Sequence, residues 1–250
     1  MDTSIANSPV NIIKSGIKLK NIQQKAMLSL VTPDSYFSQR IINLAYKAEE
    51  LKWGKRLQEA GIPNATKIFT YTSPNELQQL YKLAAQCPPQ SVALEIGSHL
   101  GASSCYIAAG LKLSNGHQLC VDTWDNETMP EGEQNTYLEF QQNTAGVKQQ
   151  IQTIRKRSEN LGEDDVKSRL NLAFIDGDHS YQAVKRDFEL VQQWIAEDGI
   201  IAFHDFSNIN YEGVSQVVGE ALASGKWMLM GKVETLAWIK RANWEAPTWI

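Results

Sequence analysis

The segment Ser91–Ser104, SVALEIGSHLGASS, constrains the fold more than any other part of the chain. A short apolar run carries Glu95 near its end, then come Gly97, Gly101 and small residues that open a helical pattern. A buried parallel strand that enters a tight glycine turn and then a helix N-terminus reads in this order. The glycine spacing narrows the ligand. A pyrophosphate cradle wants G-x-G-x-x-G, so that closely spaced glycines let backbone amides approach the phosphates. Here His99 stands where the middle glycine would sit, between Gly97 and Gly101. The turn suits a ligand without phosphate but with a cationic head.

The rest of the chain extends this unit. After Ser91, strand and helix signals alternate: strands at Val92–Ile96, His117–Asp122, 150–155, 170–176 and 199–204, with helices at 102–113 and 181–196. Trp227–Met230 and Thr235–Ile239, joined by Gly231-Lys232-Val233-Glu234, form a last pair. The reading is an α/β, doubly wound, mostly parallel seven-stranded sheet with an antiparallel edge. Ser73-Pro74-Asn75-Glu76 starts a helix before the first strand, with a capping box and proline in the first turn. Residues 1–70 differ from residues 71–250 in being net positive. Their stretch Tyr36–Ala60, stopped by Gly61-Ile62-Pro63, has mostly helical spacing. This segment is expected to be an N-terminal helical appendage that covers a sheet face or forms a homodimer contact.

Composition excludes several classes. With 42% hydrophobic residues and a net charge of −4 over 250 residues, a globular protein is expected, with no nucleic-acid partner. No apolar run approaches the roughly 18 residues of a membrane span. The opening MDTSIANSPV lacks the basic-then-apolar order of a signal peptide. Cys87, Cys105 and Cys120 read as buried reduced thiols, so a cytoplasmic location is expected.

Three strands end in acid: Asp122 in LCVDTW, Asp176 in LAFIDGDHSY and Asp205 in IIAFHDF. Ligands of open α/β sheets sit beyond the carboxyl ends of the strands, where the strand order reverses. Asp122 lies 25 residues after Gly97 and is placed to accept both hydroxyls of a nucleoside ribose. This device is shared with nicotinamide enzymes. Trp124 either covers an adenine face or packs in the core, and Ser158 either touches the adenine or caps a turn. Asp176 is a ligand or metal residue, or else a cap for the helix from Tyr181, a role that Asp178 or Ser180 fits better. His179 stands three residues after Asp176 at a strand-to-helix turn, and histidine is the residue type suited to serve as a base for a substrate hydroxyl. His204 directly precedes Asp205 and is as suited to packing as to ligation.

Together, E-I-G-x-x-x-G, V-D-T-W, F-I-D-G-D-H-S-Y and I-I-A-F-H-D-F resemble class I S-adenosylmethionine-dependent methyltransferases. More narrowly, they are similar to the small-molecule O-methyltransferases that include the macrocin type and the cephalosporin-hydroxylase-like group. The resemblance covers about residues 75–240 and implies a Rossmann-like methyltransferase fold. It implies Glu95, Gly97, Ser98 and Gly101 around the methionine part, Asp122 on the ribose, and Trp124 and Ser158 near the adenine. In metal-dependent members the acid ending the fourth strand and two adjacent residues after the fifth hold Mg²⁺, which points here to Asp176, His204 and Asp205 with His179 as base. The family usually has a carboxylate where His204 stands, and Mg²⁺ prefers hard oxygen ligands. The expected reaction is methyl transfer from S-adenosylmethionine to a hydroxyl of a small molecule. The rival readings are a nicotinamide-dependent oxidoreductase and a non-catalytic scaffold that keeps the fold. Insertions such as Asn126–Gln149 are expected to shape the acceptor pocket.

Overall fold

The computed structural model describes residues 36–126 and 132–242; the expectations for residues 1–35 lie outside them. The chain divides into two compact units between Arg56 and Leu57. Helix α1 (Tyr36–Ala60) crosses that division and ends at Gly61, whose φ of +92° takes the backbone out of helical space. Within α1, Ile41, Leu44 and Leu51 are exposed.

The second unit holds α2 (Pro74–Ala85), β1 (Val92–Ile96), α3 (Ala102–Lys112), β2 (His117–Asp122), α4 (Tyr137–Asn143) and β3 (Ile151–Arg155). Then follow β4 (Leu170–Ile175), α5 (Tyr181–Trp194), β5 (Ile195–Phe203), α6 (Glu212–Ala223), β6 (Trp227–Val233) and β7 (Leu236–Arg241). The strands form one seven-stranded sheet in the order β3-β2-β1-β4-β5-β7-β6. The first five are parallel, and β7 runs antiparallel to both of its neighbours. This is the doubly wound fold expected from the sequence. Among the described residues no helix is long and apolar enough to cross a membrane.

Strand alternation sorts the core into two layers. On one face Leu94, Ile96, Ile175, Ile201 and Phe203 pack with Val184 and Phe188 of α5 and Val217 of α6. On the other, Ala93, Phe174 and Ala202 pack with Leu80 and Leu83 of α2 and Ile107 and Leu111 of α3. A sheet covered on both faces needs apolar residues at successive positions, which is why β1 and β4 read as near-continuous apolar runs. The same period of two puts Glu95 on the α3 side and His204 on the α2 side.

Three boundaries differ from expectation. β5 begins at Ile195, where the apolar stripe of α5 had suggested two more residues of helix ending at Ala196; instead Ile195 pairs with Leu170, and the register shifts before Leu172 meets Ile200. β6 extends to Val233, so that the hairpin turns at Glu234–Thr235. Helix α6 is additional. Its buried Val214, Val217, Val218 and Ala221 follow helical spacing, a pattern present in the sequence.

Candidate active site

The strand order reverses between β1 and β4, and their carboxyl ends open into a cavity of about 1020 Å³. Gly97, Ser98, Gly101, Asp122, Ser158, Asp176, His179, His204 and Asp205 all line it. Backbone bonds continue the ladders past the strand ends and fix these positions: Gly97 N donates to Val121 O, Asp176 N to Ile96 O and His204 N to Ile175 O, at 2.9, 2.9 and 3.1 Å.

The glycine turn is built by close approach. Gly97 has φ +88°, and a β-carbon there would run into the Asp176 carbonyl of the neighbouring strand end. Glycine is therefore required by the sheet itself, before any ligand is considered. Gly101 has φ +87° and caps α3; a β-carbon would stand 2.7 Å from Thr144 Cγ2 and 3.0 Å from Phe140 Cδ2. Part of the 126–149 insertion is thus packing beneath the turn.

Two expected cofactor contacts are corrected. Glu95 is fully buried and does not line the cavity. Its Oε2 accepts from Ser98 Oγ at 2.9 Å, Gln118 Nε2 at 2.9 Å and Ser104 Oγ, while Oε1 has no partner. Burial pushes its carboxyl up to about 7 against the pull of the surrounding hydroxyls. Glu95 shapes the turn from below, because its place in the alternation directs it to α3. Trp124 is also fully buried. Its indole packs on Tyr137 and Phe140 at centroid distances of 4.9 and 4.8 Å, and Nε1 donates to His99 O at 2.9 Å. The core reading of Trp124 holds.

Asp122 is held with its carboxylate at the cavity wall. Its Oδ2 accepts from His99 N at 2.8 Å and its Oδ1 from Trp124 N at 2.7 Å. Two of the roughly four lone-pair positions of a carboxylate are then taken and two remain. Ser158 opens a 3-10 turn rather than capping one, and its Oγ donates to Asp187 Oδ1 at 2.6 Å. Burial pushes the Asp187 carboxyl up to about 6.

At the other end of the cavity the two histidines and two acids converge. Helix α5 is capped by Ser180, whose Oγ accepts from Ala183 N, so Asp176 is free of that duty. Asp205 has φ +58°, left-handed backbone that aspartate tolerates, and Asn208 Nδ2 donates to its Oδ1 at 2.7 Å. Asp205 is buried, not solvated. His204 Nδ1 lies 3.1 Å from Asp176 Oδ1 and 3.3 Å from Asp205 Oδ2. His179 Nε2 lies 3.5 and 3.2 Å from the same two oxygens and makes no hydrogen bond of good geometry. Tyr211 stacks on the His179 ring at 4.4 Å, and Gly213 lets the start of α6 approach His179 O. Tyr211 was not anticipated, and nothing local in the sequence marks it.

Burial works to raise the Asp176 and Asp205 carboxyls, but the His204 charge and hydrogen bonds outweigh it and hold both below the usual range. Burial would likewise depress His204; the Asp176 charge and bonds to Asp176, Asp205 and Glu76 overcome it and push the imidazole up to about 12.

The donor set fits a divalent cation. One ligand atom from each of Asp176, His179, His204 and Asp205 lies within 4.8 Å of the others. With metal–ligand bonds of about 2.1 Å, neighbouring donors in a tetrahedral or octahedral shell stand about 3.0–3.4 Å apart. The His204 separations from the two acids fall in that span. Imidazole nitrogen with carboxylate oxygen suits Mn²⁺, Fe²⁺ or Zn²⁺ better than Mg²⁺.

Comparisons with known proteins bear on the fold. A family model described as a methyltransferase domain matches residues 94–206. The O-methyltransferase from Bacillus cereus in complex with S-adenosylhomocysteine has a similar structure, at 16% identity and TM-score 0.51, covering 75% of this chain and 91% of that one. CalS11, a TDP-rhamnose 3'-O-methyltransferase of calicheamicin biosynthesis, is similar at 14% identity and TM-score 0.51, covering 94% of this chain and 96% of its own. Uncharacterized protein R132 of Acanthamoeba polyphaga mimivirus is 30% identical over 69 residues, 26% of this chain and 31% of that relative, so the chain spans under a third of its length. Residues 94–206 thus match a methyltransferase-domain model, and the fold is that of the similar methyltransferase structures.

Proposed function

We propose that this protein moves the methyl group of S-adenosylmethionine onto a hydroxyl of a small molecule, with a divalent ion at Asp176, His204 and Asp205 and His179 as base. The observation that carries the reading is the shared cavity: the Gly97 turn and Asp122 line one end, and the histidine–acid cluster the other. The two free lone-pair positions of Asp122 match the two hydroxyls of a ribose, and Ser98 and Gly101 border the space for the methionine part. A volume of about 1020 Å³ has room for a nucleoside cosubstrate and a small acceptor. Phe69 and Tyr71 at the cavity wall, and Tyr211 on His179, offer aromatic surface to that acceptor.

The chemistry asks two things of the chain. It must hold the acceptor oxygen in line with the sulfonium methyl, since orientation accounts for much of the rate in such a displacement. It must also take the proton: the C–O bond forms as the S–C bond breaks, S-adenosylhomocysteine leaves, and the hydroxyl proton passes to His179. His179 lines the cavity, and the Asp176 and Asp205 carboxylates beside its ring favour the charge it would gain. A bound divalent ion would lower the acceptor hydroxyl's pKa.

The test is calorimetry with S-adenosylhomocysteine and NADH, followed by methyl transfer from labelled S-adenosylmethionine to a panel of small alcohols and phenols. S-adenosylhomocysteine is expected to bind and NADH is not. EDTA should suppress turnover, and Mn²⁺, Zn²⁺ or Mg²⁺ should restore it. His179→Ala should cut the rate by roughly 10²–10⁴ with cosubstrate affinity intact. Binding of NADH alone would overturn the whole reading; full activity in EDTA together with an active His179→Ala enzyme would remove the ion and the base.

A further inference from the structure

Glu76 reaches the cluster from outside the matched domain. It lies in the first turn of α2, is 2% exposed, and forms the capping box with Ser73: Ser73 N donates to its Oε2 at 2.8 Å. Its Oε1 accepts from Thr235 N at 2.8 Å, Thr235 Oγ1 at 2.7 Å and Leu236 N at 3.0 Å, which ties it to the β6–β7 turn. A surface cap needs none of this burial. The remaining contact explains it: Oε2 faces His204 Nε2 at 3.4 Å, while the other nitrogen of that ring faces Asp176 and Asp205. His204, itself 4% exposed, is therefore held between one carboxylate behind and two in front.

We propose that Glu76 is a positioning residue for this site: by accepting the Nε2 proton of His204 it presents the Nδ1 lone pair to the cleft between Asp176 and Asp205. The inference rests on the reading of that cleft as an ion site. A neutral imidazole carries one N–H, and the partner of the outer nitrogen decides which nitrogen is left as a ligand. Glu76 can only accept there, so when an ion takes the place of the Nδ1 proton the ring keeps its proton on Nε2. The three donors at Oε1 make the choice testable by a single atom change. In Glu76→Gln the amide oxygen is pinned by Thr235 N, Thr235 Oγ1 and Leu236 N, which turns the NH₂ group toward His204 and also gives up the bond from Ser73 N. His204 must then accept at Nε2 and carry its proton on Nδ1, where it blocks the ion.

The experiment titrates Mn²⁺ and Zn²⁺ into the full-length wild type, Glu76→Gln and Ser73→Ala by calorimetry, with melting temperature and S-adenosylhomocysteine affinity measured alongside. Loss of an outer carboxylate behind a metal-bound histidine weakens ion binding by roughly 10–100-fold, and Glu76→Gln is expected in that range with S-adenosylhomocysteine affinity unchanged. Ser73→Ala removes the cap alone, so it should lower the melting temperature and leave ion affinity at the wild-type value. Wild-type ion affinity in Glu76→Gln, or equal loss in Ser73→Ala, overturns the proposal. A wild type that takes up neither ion removes the ion site of the proposed function, and Glu76 is then judged by ¹⁵N spectra of the histidine rings. Those spectra should show a His204 Nε2–H bonded to a carboxylate in the wild type and a shifted Nε2 signal in Glu76→Gln; identical spectra refute the positioning role.

Discussion

Glu95→Gln separates a carboxyl that shapes the glycine turn from one that grips a ligand. In the folded chain the Glu95 carboxyl sits at about 7 against an ordinary 4.5, since burial penalises its charge more than the Ser103, Ser104 and Ser98 hydroxyls relieve it. The folded state therefore binds this proton more tightly than the unfolded state, and stability falls as pH rises between 4.5 and about 7. Each pKa unit corresponds to about 1.4 kcal/mol, so about 2–3 kcal/mol of wild-type stability is lost through this group between pH 5 and pH 8. Glutamine has no proton to lose. Its amide would keep the oxygen among the donors and put NH₂ where Oε1 has no partner, at a pH-independent cost of about 1–3 kcal/mol. The diagnostic quantity is thus the change in the gap between the two proteins. From pH 5 to pH 8 it should move about 2–3 kcal/mol in favour of glutamine, or roughly 5–10 °C in melting temperature. Paired thermal and urea melts at pH 5, 6, 7 and 8 measure it. A gap that stays flat or moves the other way would show that the donors around Oε2 select the ionised carboxylate. Because Glu95 does not reach the cavity, S-adenosylhomocysteine affinity at pH 6 should be unchanged; a large loss would restore the ligand-contact reading.

Asp122→Ala should lose roughly 2–3 kcal/mol of S-adenosylhomocysteine affinity by calorimetry, through the bonds a charged acceptor would make and the turn amides it now holds; equal binding would refute its ribose role. Gly97→Ala places a β-carbon against the Asp176 carbonyl at a positive φ, so it should cost roughly 2–5 kcal/mol of stability even without cosubstrate, from overpacking and left-handed backbone together. An unchanged cosubstrate-free melt would count against the close approach.

The parts of this fold that were legible in the sequence are those decided locally. β1 and β2 have the bounds read from the sequence, because the short, mostly apolar runs at their centres lie between turn signals and continue into the buried sheet. The end of α5 was misjudged because Ile195 continues the helical stripe, and only pairing with Leu170 makes it a strand residue. For Trp124 the sequence could not choose between a ligand face and the core. The deciding partners, Tyr137 and Phe140, come from an insertion with no periodic link to it. The site shows the same division. Strand-end acids announce themselves by interrupting apolar runs, and the place of His179 follows from the turn it occupies. Glu76 was visible only as a capping residue, since its partner His204 lies 128 positions away. That contact also bears on His204, a histidine where the methyltransferases that the chain resembles would place a carboxylate. At the mouth of the cleft the exchange removes one negative charge, and taken alone it would weaken any cation site. α2 returns a carboxylate behind the ring, so three acids still surround the position while one acts through the imidazole. The replacement changes which atom faces the cleft from oxygen to nitrogen. It does not empty the site of charge.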